Sequence, residues 1–313
     1  MMRVATARAT IERQIWSRFR TPSYWIGAVA PVSLISLLLY QAAAATNNPP
    51  MTMFLAVVSA LWVGGSGCVR EIVDERRLIQ RDPHVSLFAY AVAKMLHAAL
   101  IAAGQSLILT VFVVLSDVVH LPLLMLWLIL CLTTVCGCLM ALVLSALCDE
   151  SATALAWFPL MLVPQVVFAG FLFSYGETRP FAIDKPAGRV VETPLLLVRP
   201  QVREGMLRFV GALIVSRWAL EGYAAQVYSR DLSNDDAMNE AMKVNSVLPV
   251  TLADISVSDR LIEYSSALVR GRVEPAPTLD THPGRYIFVL LLFVVAQAAL
   301  LVAILPIRDP RRG

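Results

Sequence analysis

Residues 63–90 read VGGSGCVREIVDERRLIQRDPHVSLFAY. Small apolar residues run into a dense stretch of mixed charge, Arg70 to Asp82, and apolar sequence resumes after Pro83. The charged stretch has the order of a short helix: Glu71, Asp74 and Glu75 come first, Arg76, Arg77 and Arg81 second. Acid near the N-terminus and base near the C-terminus both favour the helix dipole, and Arg70 with Asp74 has the spacing of an intrahelical pair. Pro83 ends it. Ile72, Val73 and Ile79 form an apolar seam that can face the ends of neighbouring helices, with the charges facing water. Paired charges around such a seam suit a helix that docks on a partner surface as well as a solvated loop.

The flanks decide the class. The chain is 58% hydrophobic and 16% charged, with a mean hydropathy of +0.67, against about 45–50% apolar and about 25% charged in soluble domains. A helix crossing the hydrocarbon core needs about 20 apolar residues. Runs that qualify lie at 23–44, 49–68, 88–116, 121–147, 152–174 and 286–306. The expectation is an all-α polytopic membrane protein with six transmembrane helices. None of the six contains Asp or Glu, and the one strong base within them is Lys94, expected to snorkel to an interface. The first run is too long for a signal peptide and lacks a small-residue cleavage site, so it reads as an anchor.

Arginine placement orients the spans. Arg3, Arg8, Arg13, Arg18 and Arg20 precede the first, Arg70, Arg76, Arg77 and Arg81 separate the second from the third, and Arg308, Arg311 and Arg312 follow the last. The loops around Asn47 and Asp117 have neither Lys nor Arg. The positive-inside rule then places both termini and the charged stretch in the cytoplasm. In residues 1–22, Ile11, Ile15, Trp16 and Phe19 share one helical face and arginines fill the rest, as expected of an interfacial helix ahead of Pro22. The external side receives residues 175–285, in which an interrupted apolar segment at 206–228 reads as a re-entrant or surface helix and 229–285 as a small polar ectodomain. Residues 307–313 form a cytoplasmic tail.

Gly64, Gly65, Ser66 and Gly67 lack the GxxxxGK[ST] spacing of a phosphate loop and lie within a span, so close helix packing or a local kink is the expected use. Cys68, Cys131, Cys136, Cys138 and Cys148 lie in spans or at their ends, without metal-ligand spacing. Cys136 and Cys138 face different sides of a helix and read as packing residues. In ATALAWFPLMLVPQVVFAGFLF, Pro159 and Pro164 bend the fifth span and open space beside it, and Gln165 is a polar side chain at depth, either lining that space or bonded to a neighbouring helix.

These features resemble a known family. VREIVDERRLIQRD after a span ending W-x-G-x-S is similar to the first intracellular loop of the membrane domains of G-subfamily (White-type) ABC exporters, which are ABC-2 type permeases. There, a short coupling helix follows the second span. SALCDESATALAWFPLMLVPQVVFAGFLF and SRWALEG resemble later parts of the same domains, and the order of elements agrees: N-terminal interfacial (elbow) helix, spans one to five over 23–174 with the coupling helix at 70–82, external insert, sixth span.

The resemblance implies the membrane-spanning permease of an ATP-driven exporter in the plasma (inner) membrane of a bacterium. Its partners would be an ABC ATPase subunit or domain, a second permease copy, identical or not, and the lipid bilayer, with no nucleic acid. By position, Arg70, Glu71, Asp74, Glu75, Arg76, Arg77 and Arg81 would couple to the ATPase. Phe54, Val58, Trp62, Phe158, Leu162, Gln165 and Phe168 would line a substrate cavity suited to amphipathic or lipid-like cargo. No catalytic or metal site and no bound cofactor is expected; ATP and Mg would be used by the ATPase, since the sequence shows no Walker lysine motif. Two alternatives stand: an ion-coupled secondary transporter, which would ordinarily carry carboxylates at depth that these spans lack, and a membrane anchor or assembly protein acting through its ectodomain.

Overall fold

In an apolar surrounding each backbone N–H and C=O must be satisfied within the chain, and long uncharged runs of Leu, Val, Ile and Ala therefore become helices. The computed structural model describes residues 20, 22–46, 49–81, 86–119, 121–169, 210–223 and 283–307. Its main helices are α1 (Pro22–Thr46), α2 (Pro49–Cys68), α3 (Glu71–Arg81), α4 (Leu87–Leu115), α5 (Leu123–Leu147), α6 (Ser151–Val167) and α7 (Pro283–Ile307). Among the described residues there is no strand.

Among the described residues, five helices, α1, α2, α4, α5 and α7, are long and apolar enough to cross a membrane. The fifth expected span differs: α6 has 17 residues and ends at Val167, not at 174. At about 1.5 Å per residue it measures about 25 Å, short of a hydrocarbon core of about 30 Å. Pro159 and Pro164 lie inside it, and the Phe168 N–H closes the last turn on the Pro164 carbonyl. The segment expected as one helix at 206–228 is also different over its described part. It is helical at 210–212 and 215–223 and turns between them, with Leu213 and Ile214 bonded back to Val210 and Gly211. The expected elbow helix at 1–22, the rest of 175–285 and the tail at 308–313 lie almost wholly outside the described residues.

α5 is the axis of the bundle. It packs against α2, α4 and α7, with α3 and α6 meeting its C-terminal end, while α1 lies on α4 and α2. Glycine permits the α2–α5 contact. A Cβ on Gly64 would collide with the Thr134 carbonyl, one on Gly137 would lie 2.5 Å from the Leu61 carbonyl, and one on Gly65 would enter the Phe158 ring. Gly67 has open space around it. The glycine patch is thus used for close packing, as in small-residue interfaces generally. Cys136 and Cys138 take part on different sides: the Cys138 Sγ–H points to the Gly64 carbonyl of α2 at 3.1 Å, and Cys136 lies toward Leu290 of α7.

Several polar side chains inside the bundle find partners on their own helix or the next one. Thr110, Thr133 and Thr134 each donate to the carbonyl one turn back at 2.7 Å, and Gln105 Nε2 donates to the Ala28 carbonyl of α1 at 3.0 Å. The turn between α4 and α5 reverses at Asp117, whose φ of 54° is left-handed, a conformation that Asp tolerates better than bulkier residues.

Candidate functional site

The first turn of any helix leaves backbone N–H groups without intrahelical partners. In α3 two of them are satisfied by another helix. The Ser145 hydroxyl, buried in the last turns of α5, accepts from the N–H groups of Ile72 and Val73, both at 3.1 Å. The apolar seam expected from the sequence is present in part, since Ile72 and Val73 are buried in the core.

Charge fixes the rest of α3, and here the expectation that its charges face water fails for three of them. Glu71 and Glu75 project inward from one face of α3 and receive Lys94 of α4: the ammonium donates to Glu75 Oε1 at 2.7 Å and to Glu71 Oε2 at 3.2 Å. The Lys94 side chain is 2% exposed, so it does not snorkel into solvent. The carboxylates come to it, because the i, i+4 spacing places both on one side of α3. Tyr90, one turn before Lys94, donates its hydroxyl to Glu75 Oε2 at 2.9 Å, and its ring lies 5.7 Å from the ammonium.

Arg76 turns toward the end of α5. Its Nη1 donates to Asp149 at 2.9 Å and its Nη2 to the Ala146 carbonyl at 2.8 Å, so a cation closes a helix C-terminus as the dipole favours. Asp74 is exposed and accepts from Ser151 at the start of α6. Arg70 is exposed. Arg77 and Arg81 lie on α3, but their side chains are outside the described residues. The coupling set therefore splits into residues that attach α3 to α4, α5 and α6 and, in Arg70, an outward residue.

The seven expected cavity residues split as well. Trp62 is 42% exposed, and Phe54, Val58 and Phe168 are half-buried. Phe158 is buried against α2, its ring 5.7 Å from that of Trp62, and Leu162 is buried in the same packing. Gln165 is occupied: its Oε1 accepts from the Ser216 N–H at 3.2 Å, and its carbonyl accepts from the Ser216 hydroxyl. Of the two readings of Gln165 left open by the sequence, bonding to a neighbouring segment is the one observed. The outward face of α6 carries Leu155, Trp157, Leu160 and Val163 instead. Sequence reasoning missed Ser145, Tyr90, Asp149 and Ser151, and assigned Lys94 no partner.

A short charged helix docked beneath a bundle of apolar spans is an arrangement that can be compared with known proteins. The family model of the ABC-2 type transporter matches residues 6–183, more than half of the chain. The chain belongs to the ABC-2 type transporter family. Its ABC-2 domain makes it an integral membrane protein and a permease, a transport component. The helices α1 to α6 of this ABC-2 permease all fall inside the matched region. The chain is also similar to an ABC transporter ATP-binding/permease protein of Mycobacterium tuberculosis (strain ATCC 25618 / H37Rv), 27% identical over 136 residues. That match covers 40% of the ABC-2 permease and 16% of the mycobacterial protein.

Proposed function

We propose that this chain is the membrane-spanning permease subunit of an ATP-driven exporter, with α3 as the coupling helix that meets a cytoplasmic ABC ATPase. The observation that carries the reading is the docking of α3. A short, highly charged helix is held against α4 by a buried ion pair and against α5 by a hydroxyl cap and an arginine, while Arg70 stays exposed. A free loop has no use for that attachment; a lever does. Membership of the ABC-2 family supports the presence of an ATPase, and the mycobacterial relative is named for both an ATP-binding and a permease activity.

In this reading α6 serves as the sixth membrane segment beside the five long helices, both termini and α3 are cytoplasmic, and the segment 210–223 lies on the external side. Two copies face each other across a pathway for amphipathic or lipid-like cargo. Trp62 and the outward residues of α6 suit the pathway better than Phe158, Leu162 or Gln165, which are engaged within one chain. ATP and Mg are used by the ATPase, the membrane is a bacterial inner membrane, and arginine placement supports this orientation within it.

The test is purification of the tagged protein from its native membrane in mild detergent, with an assay for vanadate-sensitive ATPase activity. The reading expects such activity to co-purify with the wild type. Its absence from a well-folded preparation would refute the reading and return the secondary-transport and anchor alternatives.

A further inference from the structure

The four residues between α3 and α4 form a clasp whose chemistry exceeds what attachment requires. Glu71 and Glu75 are one turn apart on α3, and Tyr90 and Lys94 are one turn apart on α4. Lys94 bridges both carboxylates, and Tyr90 takes the second oxygen of Glu75. Lys94 and Tyr90 are buried, and the side chains of Glu71 and Glu75 are 10% and 20% exposed.

Burying such a set is a poor way to gain stability. Desolvating three charges offsets much of their attraction, and well-packed apolar side chains often serve as well or better. What charges supply is directional register, a use for which buried ionic groups are best attested. Two contacts one turn apart oppose both rotation and sliding of α3 against α4. Salt screens partly buried charges much less than exposed ones. The Arg76–Asp149 pair just beyond the end of α5 contrasts with this, because Asp149 is 75% exposed.

Resting on the exporter reading, we infer that Lys94 is a positioning residue of transport, the point at which movement of α3 is passed to α4. The clasp makes α4 travel with the coupling helix, beside the Ser145 cap that ties the start of the same helix to α5. Lys94 touches no cargo in this scheme; it acts through Glu71 and Glu75.

The experiment uses the co-purified complex with nitroxide labels at Leu107 of α4 and Val163 of α6, both on exposed faces. Cys131, the one cysteine of the five that is not buried, is replaced by Ala. The inter-label distance is measured with and without trapping by ADP and vanadate. The wild type shifts on trapping. Lys94→Met retains a bound, hydrolysing ATPase but loses the shift, and Lys94→Arg keeps it. Should Lys94→Met fail to fold, the neutral combination Lys94→Met, Glu71→Gln, Glu75→Gln removes the charges together and gives the same loss. A preserved shift in either neutral variant overturns the inference. So does a wild type that hydrolyses ATP without any shift, which leaves the exporter reading standing. A wild type with no vanadate-sensitive activity overturns both.

Discussion

Ser145 caps a helix to which it does not belong: its hydroxyl lies 3.1 Å from the N–H of Ile72, 73 positions away in the chain, and serves Val73 equally. This ties the start of α3 to the end of α5. Loss of an N-cap hydroxyl typically costs about 1 kcal/mol, and here it also strands two donors in a buried setting. Ser145→Ala should lower thermal stability modestly and, by hydrogen–deuterium exchange, speed exchange at the first turn of α3 more than elsewhere. Ser145→Thr should preserve most of the protection.

The contact between α2 and α5 depends on missing side chains. Gly64→Ala and Gly137→Ala place a Cβ closer than 3.0 Å to a facing backbone carbonyl, and such overpacking typically costs about 1–3 kcal/mol. Gly67→Ala meets nothing within 4 Å and should be neutral. Thermal unfolding of the three variants in one detergent checks the contrast.

Arg76 has two partners of unequal value. Asp149 is 75% exposed, and exposed ion pairs contribute about 0–1 kcal/mol, so Asp149→Asn should barely change stability. Arg76→Ala also leaves the Ala146 carbonyl without its guanidinium donor and should cost more, about 1.5–3 kcal/mol by the usual worth of a charged hydrogen bond. Denaturant titration of the two variants should rank them in that order.

Gln165 joins α6 to the 210–223 segment through Ser216. Gln165→Leu leaves the buried Ser216 N–H without its acceptor, a loss of about 1–3 kcal/mol. Limited proteolysis should show faster cleavage near 210–223, with no change in exchange at α3. If Gln165 instead served a cargo pathway, the variant would impair transport while that segment kept its resistance.

The helices were legible because hydropathy runs set them: α1, α2, α4 and α5 begin and end within about two residues of the expected spans, in the range usual for helix ends, and α3 matches the charge order of its sequence. The end of the fifth span was not legible, because Phe168 to Phe173 remain apolar after Pro164 and hydropathy does not register a closing turn. The orientation of the α3 charges was hidden for a different reason. Periodicity places Glu71 and Glu75 together on a face but does not say which face is inward. That choice is made by Lys94, Ser145 and Asp149, which come from other helices. Gln165 likewise gave a polar signal whose partner, Ser216, lies 51 positions on.

The central claim, that α3 meets an ATPase, is tested most directly by placing a photo-crosslinking amino acid at the exposed Arg70 position and irradiating native membranes. The account predicts a covalent adduct with a polypeptide that is itself labelled by azido-ATP, and no such adduct from the probe at Leu107 on the outward face of α4. An Arg70 probe that captures only lipid, or a protein that does not bind nucleotide, would contradict it.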